Sequence, residues 1–456
     1  RKQQKILKQK WARWTALFTR QPFSEIREYF GEKVALYYLW LGWYTFLLVP
    51  AVVVGVIIVL YVTHSCVCAS PVIMCPRCDK ECNVTKLNET CSYAKVSQLF
   101  DNEGTVAFAM FMAIWATLFL ELWKRHRAKY VSRWKVSVWN DEEIVNDPEC
   151  KPKEFRHSYL RALVLALATL VLIVIIGLTH ALVVSWLVVR VFLSEQDHWG
   201  LLKKHADSAA VMLGAILHYI TMQVMTRVNW VVKCRSFAAT ERSFTVKMFT
   251  FQFFTLFSSL IYIAFFLGRI NGQPGNYVRL AGKWRLQECH PSGCLTDLFI
   301  QMAVILLLKQ TLNNIFEFTI PWFQRCFRQT KAKKLQRSCG NCYRKACRRE
   351  DGKVEPCDTC KIRDWMQNYH LNDVNAFSLF NEYMEMVMQF SFTTIFVAAF
   401  PLAPLLALIN NLFEIRLDAI KMVSLERRLV PKTTNNLGVW TKGTATDLDY
   451  PPHVTD

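Results

Sequence analysis

Asn313 and Glu317, Glu382 and Glu385, and Glu414 and Asp418 form three oxygen-bearing pairs, each inside an apolar stretch in the last third of a 456-residue chain. The spacing within each pair is three or four residues, which puts both side chains on one helix face. A carboxylate inside a membrane segment costs about 2.5 kcal/mol or more and marks function by default. Five carboxylates and one amide oxygen are the donors a hard divalent cation requires, and Ca²⁺ is the commonest such ion. The expected chemistry is Ca²⁺ binding within a bilayer. Two ions would set four positive charges against the five acids, where one would leave the cluster far from balance, so two are expected. Asn313 would supply a neutral carbonyl oxygen.

Each pair also has a simpler reading. Glu382 and Glu385 could favour a helix N-terminus through its dipole. Asp418 could pair with Lys421 one turn on, and Glu317 could be a lone polar contact between helices. All three readings would have to hold together, at one depth, to replace a shared site.

The elements that must position these residues are apolar runs long enough to cross a hydrocarbon core. There are eight, at about 34–62, 104–123, 160–192, 207–228, 246–268, 297–320, 376–399 and 402–424. They predict an all-α polytopic membrane protein with eight transmembrane helices. The net charge of +19 does not indicate nucleic acid, because the basic residues gather beside the apolar runs, as in Lys124-Arg125-His126-Arg127 and from Arg325 to Arg349. That is the positive-inside pattern, with anionic lipid as partner.

Orientation follows from three signals. With the N-terminus in the cytosol, the loop 63–103 lies outside and carries Cys66, Cys68, Cys75, Cys78, Cys82 and Cys91, with sequons at Asn83 and Asn88. Disulfides and glycosylation both belong on that face. The outer loop 269–296 adds Cys289 and Cys294, and the pairing of these eight cysteines is open. The inward loops 124–159, 229–245 and 325–375 are rich in Lys and Arg. The division is then a basic cytosolic or interfacial segment 1–33, helices one and two over 34–123, helices three to five over 160–268, helix six over 297–324, helices seven and eight over 376–424 and a cytosolic polar tail 425–456. Both termini fall in the cytosol, and all six oxygen donors fall in the cytosolic half of the bilayer.

Other signals are weaker. Cys339, Cys342, Cys357 and Cys360 form two Cys-x-x-Cys pairs that could bind Zn²⁺; the alternative is a basic loop with incidental thiols, and Cys347 lies inside the spacing. Cys326 is either a palmitoylation site or an inert thiol. Residues 1–20 interleave basic residues with Trp11, Trp14, Leu17 and Phe18, which fits an interfacial helix on the inner leaflet or a linker. His180 reads as an interhelical contact and Arg190 as a snorkelling side chain. No nucleotide-binding, serine-hydrolase or zinc-protease motif stands out, and an intramembrane hydrolase would need only one isolated acid pair, so an enzyme is not expected.

Several segments resemble the anoctamin family, also called transmembrane protein sixteen. They are Phe30-Gly31-Glu32-Lys33 leading into Tyr38-Leu39-Trp40-Leu41-Gly42-Trp43-Tyr44-Thr45, then Leu118-Phe119-Leu120-Glu121-Leu122-Trp123-Lys124-Arg125, Phe400-Pro401-Leu402-Ala403-Pro404-Leu405 and Glu414-Ile415-Arg416-Leu417-Asp418-Ala419. The resemblance covers nearly all of 20–440. It implies a ten-helix fold, two Ca²⁺ per subunit held by Asn313, Glu317, Glu382, Glu385, Glu414 and Asp418, and Asn410 behind them. It also implies a homodimer at the plasma membrane and a groove that passes chloride or lets phospholipid headgroups slide between leaflets. Some members carry a hinge glycine just upstream of Asn313; Leu306-Leu307-Leu308 stand here, so a hinge is expected elsewhere.

Eight of the family's ten helices are found, and the polar end after Trp440 cannot span a bilayer, so a truncated form is expected, in which dimerisation is in question. The expected activity is Ca²⁺-activated phospholipid scrambling. The alternatives are a Ca²⁺-activated chloride channel and a transport-inactive subunit that modulates full-length relatives.

Overall fold

A computed structural model describes residues 2–17, 19–65, 102–136, 170, 174, 177, 237–267, 272–273, 276–277, 279–280, 284–285, 294–345, 371–372, 374, 378–431 and 434. Apolar periodicity governs what they form. The helices are α1 (Lys2–Lys10), α2 (Phe23–Phe30), α3 (Glu32–Ser65), α4 (Glu103–Arg133), α5 (Phe237–Ile261), α6 (Cys294–Ala303), α7 (Gln310–Lys345), α8 (Ser378–Ile395) and α9 (Ala403–Ile420). π-helical turns extend α5 over Tyr262–Leu267, join α6 to α7 over Val304–Lys309 and extend α9 over Lys421–Leu425. The described strands are short: Gly272–Gln273 pairs antiparallel with Asn276–Tyr277, and Arg279–Leu280 with Trp284–Arg285.

The chain divides into two compact units. One comprises Arg1–Leu60, Val106–Trp139 and Ala303–Leu437, and the other Tyr61–Thr105, Asn140–Met302 and Gly438–Asp456. All six expected ion ligands belong to the first.

Among the described residues four helical stretches are long and apolar enough to cross a membrane: Glu32–Tyr61, Glu103–Arg133, Phe244–Leu267 and Asp297–Phe327. Their exposed faces are greasy, as lipid contact requires. On α3, Tyr37, Leu41, Tyr44, Leu48 and Ala51 are buried, while Phe46, Val49, Val53, Ile57 and Leu60 are exposed. Both stripes follow three- and four-residue steps, so one helix carries a packed face and an apolar outward face. On α4, Val106, Met110, Ile114, Leu118 and Leu122 form the outward stripe, against buried Phe108, Met112, Trp115, Phe119 and Trp123.

Six of the eight expected runs coincide with described helices; those at 160–192 and 207–228 lie outside the described residues apart from isolated helical positions. Charged residues end an apolar run without ending a helix: α4 continues past Lys124 to Arg133 and α7 past Arg325 to Lys345. The helix into Asn313 also departs from regular form at Val304–Lys309, across Leu306-Leu307-Leu308, where the absence of glycine had placed no hinge.

The described N-terminal segment packs against α3, α9 and the π-helical turn after α9. Leu7 and Trp11 are each 1% exposed, and Trp11 packs edge-on against Tyr38 with centroids 4.6 Å apart. Gln4 Nε2 donates to the Val423 carbonyl at 3.1 Å. Arg416, buried on α9, donates to the carbonyls of Trp11 (3.1 Å), Leu17 (3.4 Å) and Thr19 (3.2 Å). Trp14 alone of the aromatic pair is exposed.

Two glycines fix the entry and depth of α3. Gly31 separates α2 from α3 with φ of 91°, a conformation that penalises a side chain. The turn is braced by Arg27, whose Nε meets Glu32 Oε1 at 2.9 Å and whose guanidinium lies 5.5 Å from the Trp134 ring. Gly55 faces the turn before α9, and a Cβ there would sit 2.4 Å from the Pro401 carbonyl oxygen.

Two outcomes follow. Gly55→Ala should destabilise the protein by about 1–3 kcal/mol through overpacking, read as a lower thermal midpoint in detergent. Arg416→Met should free the N-terminal segment. Loss of its hydrogen bonds, worth about 1.5 kcal/mol, should raise tryptic cleavage at Arg13 roughly ten-fold; unchanged cleavage would show that Arg416 does not hold the segment.

Candidate metal centre

α7, α8 and α9 bring one polar face each to the same place. On α7 the residues are Gln310, Asn313, Asn314 and Glu317, within two turns. On α8 they are Glu382 and Glu385, and on α9 Asn410, Glu414 and Asp418, followed by Lys421 at the first π-helical residue. The Gln389 amide on α8 donates to the Ala407 carbonyl of α9 at 3.0 Å and ties these helices together. Arg325 on α7 donates to the Ser424 carbonyl at 2.6 Å and closes the lower end.

The five carboxylates form two overlapping triads. Glu317, Glu385 and Glu414 each offer an oxygen within 4.8 Å of the others, and so do Glu317, Glu382 and Asp418. Glu317 is common to both. Glu382, Glu414 and Asp418 are buried, whereas Glu317 and Glu385 are partly accessible. A small cavity lined by Asn314, Glu317, Phe318, Glu414, Leu417, Asp418 and Lys421 opens among them.

Neighbouring groups orient the acids. The Tyr37 hydroxyl donates to Asp418 Oδ2 at 2.7 Å. Gln310 Nε2 donates to Glu385 Oε1, and Asn313 Nδ2 to Glu385 Oε2 at 2.5 Å. Lys421 Nζ contacts Glu317 Oε1, Glu382 Oε1 at 2.5 Å and Asp418 Oδ1 at 3.4 Å.

The donor set fits a hard divalent cation. All its first-line atoms are oxygens from three helices, and buried Glu382 Oε2 and Glu414 Oε2 have no hydrogen-bond partner among the described residues. Such buried acceptors are costly unless a cation meets them. The pairing of Asp418 with Lys421 that a simpler reading offers is present, but it lies inside the cluster rather than replacing it.

The six residues expected from sequence therefore converge, with adjustments. Asn313 is exposed and turns its amide nitrogen, not its carbonyl oxygen, toward Glu385. Its neighbour Asn314 is buried, lines the cavity and donates to Asn410 Oδ1 at 2.9 Å, which places Asn410 behind the acids. Tyr37, Gln310 and Asn314 were missed. Gln310 and Asn314 share the Glu317 face of α7 by spacing, a usable signal; Tyr37 lies 381 positions from Asp418 and gives none.

The metal-capable clusters among the described residues are built from carboxylates. Cys339 and Cys342 lie within helix α7, while Cys357 and Cys360 fall outside the described residues, so nothing supports the zinc site. Cys326 is not in a disulfide, and Cys294 is disulfide-bonded. The candidates Cys66, Cys68, Cys75, Cys78, Cys82, Cys91 and Cys289, the sequon residues Asn83 and Asn88, and His180 and Arg190 lie outside the described residues.

Residues 26–445 match the sequence model of a family described as "Anoctamin: Calcium-activated chloride channel". Anoctamin-9 of Mus musculus is 48% identical over 458 residues, covering 95% of this chain and 58% of that protein. Anoctamin-3 of Homo sapiens is 40% identical over 470 residues (95% and 46%), and Anoctamin-4 of Homo sapiens 40% over 473 (95% and 47%). Within the family the sequence resembles the ninth paralogue, in keeping with the first of these. The chain spans about half the length of the curated relatives it matches. On the extent of the family match and these identities, the chain belongs to the anoctamin family of multi-pass membrane proteins.

Proposed function

We propose that this chain is the Ca²⁺-sensing membrane part of a phospholipid scramblase, with two Ca²⁺ held by Glu317, Glu382, Glu385, Glu414 and Asp418, and with Asn313 or Asn314 adding an amide oxygen. The observation that carries the reading is the pair of carboxylate triads sharing Glu317. Two divalent charges there would offset the repulsion that otherwise opposes bringing α7, α8 and α9 together. Two such ions would set four positive charges against the five acids.

α7 enters both triads through the one side chain of Glu317, whereas α8 and α9 each supply a separate acid to each. Its other faces expose Leu312, Ile315, Phe316, Ile320, Phe323 and Phe327. That apolar outer surface is what a helix facing lipid tails requires. The second reading, a Ca²⁺-activated chloride channel, is favoured by the description of the matching family. In either case the proposed setting is the plasma membrane, with both ends and the site on the cytosolic side, glycosylation at Asn83 and Asn88, and a homodimer as the assembly.

The deciding experiment reconstitutes the purified chain in liposomes with dye-labelled lipid and follows lipid exchange and chloride flux as Ca²⁺ is titrated. Lipid exchange without chloride flux supports the first reading, and flux without exchange the second. Neither, at saturating Ca²⁺, would make the chain a transport-inactive partner. Glu385→Gln should shift the Ca²⁺ dependence about ten-fold or more to higher concentration, equivalent to about 1.4 kcal/mol. Tyr37→Phe, which removes a hydrogen bond to a charged carboxylate worth about 1.5 kcal/mol, should weaken Ca²⁺ binding by roughly ten-fold in calorimetry. An unmoved curve for Glu385→Gln would refute the ligand assignment.

A further inference from the structure

The two triads are not equivalent. Lys421 Nζ reaches Glu317 Oε1, Glu382 Oε1 and Asp418 Oδ1, one oxygen from every member of one triad. The described ion pairs of Lys421 do not extend to Glu385 or Glu414, and the described donors to Glu385 are the neutral amides of Gln310 and Asn313. The lysine is itself buried, and its side chain is only 6% exposed. An ammonium lying among three carboxylates takes the place that a small hard cation would take, and both cannot hold the same oxygens.

We propose that Lys421 is a tethered counter-cation of the Glu317–Glu382–Asp418 triad, so that two Ca²⁺ bind in order: first at Glu317–Glu385–Glu414, then, with the ammonium withdrawn, at Glu317–Glu382–Asp418. The proposal rests on the Ca²⁺ reading of the site. Several features of the chain support it. Lys421 begins the π-helical turn Lys421–Leu425, a wider and less regular backbone than the α-helix before it. Glu426, half-buried just beyond that turn, attracts the same ammonium and offers it somewhere to go. Asp418 keeps its orientation during the exchange, because Tyr37 holds Oδ2 while Lys421 uses Oδ1. The lysine thus stabilises the ion-poor arrangement and raises the Ca²⁺ concentration needed to complete the site. By linkage, the second ion must displace what the lysine contributes.

Calcium chloride is titrated calorimetrically into the purified chain and into Lys421→Met and Lys421→Gln. Wild type should show two steps of unequal affinity. Both variants should tighten the weaker step about ten-fold or more while moving the tighter one less than about three-fold, and should lower the thermal midpoint in EGTA. An equal shift of both steps would mean that Lys421 acts only as background charge, and no shift or a weaker second step would also overturn the proposal. A measurement on wild type covers the case of variants that do not fold. Reductive methylation read by mass spectrometry should modify Lys421 faster in saturating Ca²⁺ than in EGTA, and equal rates would overturn the proposal. Failure of wild type to bind Ca²⁺ at all removes the Ca²⁺ reading and this inference together. Two Ca²⁺-binding steps in wild type that do not respond to Lys421 remove the inference alone.

Discussion

Five carboxylates held close together away from bulk water repel one another, and the arrangement of this unit answers that repulsion. Four of the five acids are met by donors. Tyr37 of α3 holds Asp418, Gln310 and Asn313 of α7 hold Glu385 of α8, and Lys421 joins Glu317 and Glu382. These contacts satisfy some of the oxygens and leave Glu382 Oε2 and Glu414 Oε2 without a described partner. Charge pairs taken out of water are only marginally favourable, because desolvation cancels most of the attraction. A cluster of this kind does little for stability on its own account, which is why its presence argues for a ligand rather than for scaffolding.

The scaffold around it is aromatic and stiff. Tyr37 packs against Tyr383 with centroids 5.0 Å apart and against Tyr38 at 5.1 Å. Higher on the same face of α3, Tyr44 meets Phe119 of α4 at 5.7 Å and Phe390 of α8 at 5.8 Å. The Trp115 indole on α4 donates to the Leu47 carbonyl at 2.8 Å. This wall fixes α3, α4, α8 and the base of α9 in register. α7 differs, since it reaches the site through polar contacts, exposes a broad apolar surface and follows a π-helical turn at Val304–Lys309. α7 is thus tied into both triads by the single side chain of Glu317, where α8 and α9 each supply a separate acid to each.

Much of this was legible in the sequence. Hydropathy set the runs because a bilayer imposes a length, and helical spacing paired the acids because a helix imposes a period. Neither rule reaches beyond a few turns. Tyr37 reads as one more aromatic in an apolar run, and only the tertiary fold brings its hydroxyl to Asp418. Lys421 reads as a partner one turn from Asp418, as it is, but its reach to Glu317 and Glu382 depends on the approach of two other helices. At Lys124 and Arg325 charged residues end the apolar runs, yet α4 and α7 continue to Arg133 and Lys345, because hydropathy does not set where a helix stops. The buried N-terminal segment was invisible because its basic residues look solvated, while Leu7 and Trp11 carry the packing.

α9 joins these observations. Glu414 and Asp418, four residues apart, face the acids, and Arg416 midway between them projects to the opposite side. There it binds the carbonyls of Trp11, Leu17 and Thr19. One turn of helix is thus gripped from both sides, by the ion-binding cluster and by the N-terminal segment. An axial shift or rotation of α9 that improves one set of contacts must strain the other, since the helix transmits displacement rigidly over so short a span. By holding Arg416, the N-terminal segment fixes the depth and rotation at which Glu414 and Asp418 meet Glu317.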